Sequence, residues 1–265
     1  MPSVRRIIKS VLPSRVVDTI RVVAKGYVAV PDAKRAVFRI AEAGKFRMAY
    51  RIGTADEQVL AHSFDHDIYF AEIPEYQPTG SDTIIDVGGH IGTFSLLAGS
   101  INPNGRIFAV EPCRESFDLL CTNIALNDAN NVSAHHVALG SNDGECRLVY
   151  GTDNWGHSTE MDLNGPGETT RAQTLESFFR EQRIDRCALI KFNCEGAEFP
   201  ILETASDELL QRIERFVILY HCDIARGSSV DALSDRLTRI GFSVRLINVV
   251  GLRGWLVATR NSHAA

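Results

Sequence analysis

The sequence predicts a doubly wound α/β fold built on a mostly parallel seven-stranded sheet. Two observations predict it. From residue 83 onward, apolar runs of strand length alternate with stretches of helix length, and the first run ends in a glycine-rich turn. Strands that are apolar along their whole length belong to a parallel sheet covered by helices on both faces. The candidate strands are TIIDVG (83–88), RIFAVE (106–111), VSAHHVAL (132–139), CALIKFN (187–193) and RFVILYH (215–221). Between them, residues 114–126 set Phe117, Leu120, Cys121 and Ile124 on one helical face. FSVRLIN (242–248) and GWLVATR (254–260), joined around Val249–Arg253, read as a terminal hairpin with one antiparallel strand at the sheet edge.

Upstream, residues 47–73 alternate in a way that predicts three short strands, RMAYRIG, QVLAHSF and DIYFAEI. Near the N-terminus, Val4, Ile7, Ile8, Val11 and Leu12 fall at helical spacing until Pro13, and Val16, Val17, Ile20, Val23 and Tyr27 continue the pattern. The chain therefore divides into an N-terminal helical extension with lead-in strands (1–53) and a main domain (54–265). Residues 1–53 carry twelve Lys/Arg against three Asp/Glu, a net of +9, so within the total of −5 the remainder carries −14. Two roles are open to the extension: packing on the main domain or on a second subunit, or peripheral contact with an anionic membrane.

Composition excludes other classes. No apolar run approaches the roughly 18–20 residues that span a bilayer, and Lys9 and Ser10 interrupt the apolar residues behind Arg5 and Arg6, so a secretory leader is not expected and the protein reads as cytoplasmic. The acidic main domain argues against nucleic acid, which needs a basic stripe beside the site. The six cysteines are scattered without metal-ligand spacing and read as reduced thiols.

The chemistry-bearing residues stand at the predicted strand ends. The first strand runs into Asp86-Val87-Gly88-Gly89-His90-Ile91-Gly92, where glycines let a ligand approach the backbone. The second ends at Glu111, a carboxylate placed to accept both ribose hydroxyls of a nucleoside cofactor. Gly-x-x-x-Gly in place of G-x-G-x-x-G favours a cofactor without a pyrophosphate, and S-adenosyl-L-methionine fits. Ala138, at the third strand's end, is the position expected to line an adenine. The fourth strand ends in Lys191, Asn193 and Glu195, and the fifth in His221, all expected at the ligand crevice. His221 is the first candidate for general base, followed by Glu195 and by His157. His157 belongs to the loop Asn154-Trp155-Gly156-His157-Ser158, a candidate acceptor lid. No Asp, Asn or His set at ligand spacing flanks the fourth strand, so no metal is expected.

DVGGHIG, FAVEP, NIALN, VALGSNDG, TLESF and above all IKFNCEGAEFPIL resemble, in this order over roughly residues 60–225, the FkbM-type methyltransferases. The resemblance implies a Rossmann-like, class I methyltransferase fold, S-adenosyl-L-methionine as cofactor, and O-methylation of natural products, sugars or glycans. Carried over, Asp86, Gly88, Gly92 and Glu111 would bind the cofactor, with Gly89 and His90 in the same turn, and Lys191, Asn193 and Glu195 would lie near the reacting centre. Two positions depart from the family's pattern: His90 replaces its usual Asn, and Asn193 its usual Asp. The second departure keeps open a catalytically altered protein that binds a partner or glycan. A nicotinamide-dependent oxidoreductase on the same sheet is disfavoured by the glycine spacing.

Overall fold

The computed structural model describes residues 38–64, 68–151, 156–160, 164–225 and 227–261. The helices expected within residues 1–37, and with them the membrane-contact reading, lie outside the described residues, as do Asn154 and Trp155 of the expected lid.

The chain enters through an antiparallel hairpin, β1 (Phe38–Ala43) and β2 (Phe46–Arg51), followed by α1 (Asp56–Phe64). The main sheet and its helices then alternate as β3 (Thr83–Val87), α2 (Thr93–Ile101), β4 (Arg106–Val110), α3 (Arg114–Leu126) and β5 (Val132–His135). Next come β6 (Ala138–Leu139), β7 (Gly144–Val149), β8 (Gly167–Gln173), α4 (Leu175–Glu181), β9 (Leu189–Phe192), α5 (Glu198–Thr204) and α6 (Asp207–Leu210). The chain closes with β10 (Arg215–His221), α7 (Val230–Arg239), β11 (Phe242–Val250) and β12 (Arg253–Arg260).

The main sheet has seven strands in the order β11-β12-β10-β9-β3-β4-β5. Strands β10, β9, β3, β4 and β5 run parallel, and β12 is antiparallel to both neighbours. The expected doubly wound fold with its terminal hairpin is thus present. The antiparallel strand, however, inserts between β10 and β11 rather than taking the edge. Alternation along the strands divides the core between the two faces. Ile85, Val87, Ile190, Phe192 and Phe216 pack on one side, and Ile84, Leu189, Val217 and Val257 on the other.

Three local expectations are corrected. QVLAHSF is α1, not a strand, with Asp56 and Glu57 in its acidic first turn. DIYFAEI yields only a 3-10 turn at Phe70–Glu72, whose flanking Tyr69 and Ile73 are buried under the sheet. VSAHHVAL is not one strand. It breaks after His135, and Ala138–Leu139 joins β8 and β7 in a separate three-stranded sheet.

Candidate active site

A cavity opens beyond the carboxyl ends of β3, β4, β9 and β10, and it includes the point where β3 parts its two neighbours, β4 and β9. Its volume is about 190 Å³, many times the roughly 10–15 Å³ that one water needs on the same measure. It therefore suits an organic ligand.

At β3 the backbone turns away so tightly that only glycine fits. Gly88 has φ +78°, and a Cβ there would meet the Asn193 carbonyl oxygen at 1.9 Å. That carbonyl cannot retreat, because the Asn193 N–H donates to the Val87 carbonyl at 3.1 Å in the β3–β9 seam. Gly88→Ala is accordingly expected to destabilise the fold by about 2–5 kcal/mol, the sum of left-handed strain and overpacking. Gly140→Ala, whose Cβ would meet nothing within 4 Å, should change stability by less than about 0.5 kcal/mol. Urea unfolding of both variants checks the contrast.

Glu111 lies just beyond β4, in the cavity wall and almost wholly buried. Its carboxylate accepts from the His90 backbone N–H at 2.8 Å and the Cys113 backbone N–H at 2.8 Å. Burial pushes its pKa up to about 7, although both hydrogen bonds and the Lys191 and Arg51 charges pull the other way. Gly88, Gly89, His90 and Ala138 also line the cavity. Asp86 and Gly92, expected beside them, do not. Asp86 is fully buried behind the wall, accepting from Lys191 Nζ at 2.9 Å and Ser95 Oγ at 2.6 Å. Gly92, at φ +91°, instead admits the Leu120 side chain, whose Cδ1 a Cβ would meet at 2.6 Å.

Lys191 reaches the wall from β9 as a clamp on the glycine turn. Its ammonium donates to Asp86 and, at 2.8 Å, to the Gly88 carbonyl, and lies 5.1 Å from the Tyr69 ring centre. Burial opposes that charge, but the Asp86 carboxylate together with Tyr69 and Cys194 more than offsets it and holds the pKa above the ordinary lysine value. Asn193 also lines the cavity. Its Nδ2 approaches the Tyr69 hydroxyl at 3.4 Å, and its buried Oδ1 has no hydrogen-bond partner among the described residues.

At the β9 and β10 ends the structure brings Glu195 and His221 together, with His221 Nε2 3.6 Å from Glu195 Oε2. On the other side of the ring, Nδ1 is 3.2 Å from Oε1 of Glu198. Burial alone would lower the imidazole's pKa, but the hydrogen bond to Glu198 and the charges of both glutamates raise it. Burial likewise raises that of Glu195. His157 faces the same cavity in a different state. Its Nδ1 accepts from the Gly151 N–H at 3.2 Å, which leaves the ring's proton on Nε2. Burial and the Arg51 charge lower its pKa to about 4. With Nδ1 so engaged, the neutral His157 ring has its donor at Nε2.

Two groups escape a reading of the sequence. One is Glu198, whose partner His221 lies 23 residues further along the chain. The other is Arg51, fully buried at the end of β2, which grips both Asp56 oxygens at 2.8 Å and lies 3.2 Å from His90 Nε2. Arg51 thus fastens the entry hairpin to the turn whose backbone holds Glu111. Asn123 adds to this fastening from α3, bonding both Ala49 backbone groups and the Ile91 carbonyl. A buried arginine has no signature in sequence, because its partners come from three separate elements. Among the described residues, no group of three or more His, Cys, Asp or Glu side chains is placed to hold a metal ion, and no helix is long and apolar enough to cross a membrane. The six cysteines are free thiols.

The family model described as "Methyltransferase FkbM domain" matches residues 86–244 of the chain. The chain is 29% identical over 200 residues to "Methyltransferase 1" of Beauveria bassiana, covering 67% of this chain and 79% of that protein. It is 28% identical over 186 residues to "Methyltransferase sdnD" of Sordaria araneosa, covering 58% and 70% respectively. Among solved structures it is similar to the methyltransferase FkbM from Methylobacillus flagellatus KT, with a TM-score of 0.51 at 15% identity, covering 77% of this chain and 53% of that one. The chain thus spans about half the length of that structure, and at this identity the likeness concerns the fold. With the family match extending from the glycine turn through the Glu195–Glu198 segment to β11, the chain belongs to the FkbM methyltransferase family.

Proposed function

We propose that this chain is an S-adenosyl-L-methionine-dependent O-methyltransferase acting on a hydroxyl of a sugar, a glycan or a natural-product small molecule. The observation that carries the reading is a single cavity with Glu111 and His221 both in its wall. An ionised carboxylate offers about four lone-pair sites. Two of those on Glu111 are taken by backbone N–H groups, and two remain for the paired hydroxyls of a ribose. The Oδ1 of Asn193, without a partner among the described residues, suits a donor such as an ammonium. The glycine turn itself speaks against a dinucleotide. The N–H groups of Gly88 and Gly89 both donate to the Val110 carbonyl and make no cradle for a pyrophosphate.

When bound, S-adenosyl-L-methionine supplies a sulfonium methyl that an oxygen nucleophile can take. The protein's part is to hold the acceptor oxygen in line and to take its proton. His221 fits the second task because its ring is buried at the cavity wall, with one nitrogen held by Glu198. A base must be neutral to accept a proton, so methyl transfer should rise with pH through the raised pKa of His221 and level off above it.

The test is calorimetric titration with S-adenosylhomocysteine, followed by labelled methyl transfer to candidate hydroxyl acceptors. His221→Asn is expected to lower turnover by roughly 10²–10⁴-fold while leaving S-adenosylhomocysteine affinity essentially unchanged. Absence of binding to the folded wild-type protein would overturn the reading.

A further inference from the structure

We propose that Glu198 is the positioning residue for His221, fixing the imidazole proton on Nδ1 so that the Nε2 lone pair faces the acceptor, and that Glu195 stabilises the imidazolium this base becomes. The proposal rests on the reading of His221 as the base.

Glu198 has no place in the cavity wall and is fully buried at the start of α5. Its Oε1 accepts from the His221 backbone N–H at 2.7 Å and faces Nδ1 at 3.2 Å. Its Oε2 accepts from the Gly196 N–H at 3.0 Å and the Cys194 thiol at 3.4 Å. Burial, together with the Glu198 charge, pushes the pKa of that thiol far up, so it stays a donor. The His221 and Gly196 backbone N–H groups and the Cys194 thiol thus each point a hydrogen at this carboxylate. A nitrogen facing a surrounded acceptor must itself carry a hydrogen, which leaves Nε2 with the lone pair in the neutral ring.

Glu195 is held on the other side by an unusual turn. It has φ +54° and Gly196 has φ +99°. Left-handed backbone costs a non-glycine residue about 1–2 kcal/mol, and such outliers persist only where their surroundings hold them. Here Ser158 Oγ donates to the Glu195 carbonyl at 2.6 Å, tying the loop that bears His157 to the turn. The 3.6 Å between Nε2 and Glu195 Oε2 is too long for a hydrogen bond yet close enough to stabilise a charge on the ring. Arg253 opposes that charge from β12, but Asp223 pairs with it at 2.9 Å.

The step balances. As the bond between acceptor oxygen and methyl carbon forms and the sulfur–methyl bond breaks, the O–H electron pair stays on oxygen and its proton passes to Nε2. The imidazolium gains the positive charge that the sulfonium gives up, and it gains it between two carboxylates.

The test is a ¹⁵N NMR titration of the His221 imidazole in the full chain, in wild type, Glu198→Gln and Glu195→Gln, alongside turnover and S-adenosylhomocysteine affinity. The wild-type neutral ring is expected as the Nδ1–H tautomer. Glu198→Gln should lower the His221 pKa, move the rising limb of the pH–rate profile down equally, and reduce turnover at least about tenfold with unchanged S-adenosylhomocysteine affinity. Glu195→Gln should lower the pKa while keeping the tautomer. An Nε2–H tautomer in wild type, or an unmoved titration in Glu198→Gln, would make Glu198 only a structural part of the turn. Should Glu198→Gln fail to fold, the wild-type tautomer alone decides. The titration needs no turnover, so a shifted His221 without methyl transfer would sink the reaction assignment while leaving the positioning role intact.

Discussion

Glu111→Gln is expected to weaken S-adenosylhomocysteine binding about a hundred-fold at pH 8 and to remove most of its pH dependence. The first effect follows from two charge-assisted hydrogen bonds to ribose hydroxyls, each worth about 1.5–3 kcal/mol, of which glutamine can replace only a neutral fraction. The second follows from the pKa of about 7 that burial imposes on Glu111. Below that value the free protein carries a protonated carboxyl, whereas the bound ribose requires the carboxylate. Binding must then release a proton, and affinity falls as pH falls, approaching tenfold per unit well below pH 7 and flattening above it. The same carboxyl acts oppositely on folding. With its native pKa raised, its contribution to stability is complete at acidic pH below its ordinary range and is lost as pH rises through about 7. The stabilisation that S-adenosylhomocysteine confers on the fold should therefore be larger at pH 8 than at pH 6. Titrations in two buffers of different ionisation enthalpy would detect the released proton directly. Wild-type-like affinity in Glu111→Gln would place the nucleoside elsewhere.

The placement of Glu111 is legible in the sequence because its logic is local: a strand, its end, and an acidic side chain where the crevice must lie. Gly88 is legible for the same reason, although the sequence suggests close approach of a ligand, whereas the chain's own Asn193 carbonyl is what excludes a side chain. What sequence cannot show are contacts between distant segments. Asp86 and Lys191 are 105 residues apart, and nothing in either motif says that one neutralises the other, so the motif puts Asp86 on the ligand side of a wall it stands behind. Strands β7 and β8, GECRLV and GETTRAQ, lack apolar alternation and cannot be read as strands. Helix α1 is ambiguous because Val59, Leu60, Ala61 and Phe64 suit either period over so short a span. Glu198 is visible in the motif, but its task depends on where β10 sets His221.

Lys191→Met is expected to destabilise the protein by about 3–5 kcal/mol, because it strands a buried carboxylate. Asp86 is fully buried, and besides Lys191 its side chain is bonded by the Ser95 hydroxyl. The variant should regain stability at acidic pH. Acid removes the cost of an unpaired buried negative charge, so the deficit against wild type is expected to be greatest near neutrality and to narrow as pH falls. The double variant Asp86→Asn/Lys191→Met should recover a large part of the loss at neutral pH, since a neutral amide can stay with Ser95 without an uncompensated charge. Urea unfolding of the two single variants and the double variant at pH 4.5 and pH 7.5 would close this cycle. If the single and double variants were equally unstable, the role of Lys191 would be its hydrogen bond to the Gly88 carbonyl, not neutralisation of Asp86. S-adenosylhomocysteine affinity, measured well below each variant's unfolding temperature, then separates the two jobs of the lysine. Loss of affinity in a double variant of near-wild-type stability would show that the clamp on the glycine turn shapes the cavity, over and above the ion pair that keeps the fold.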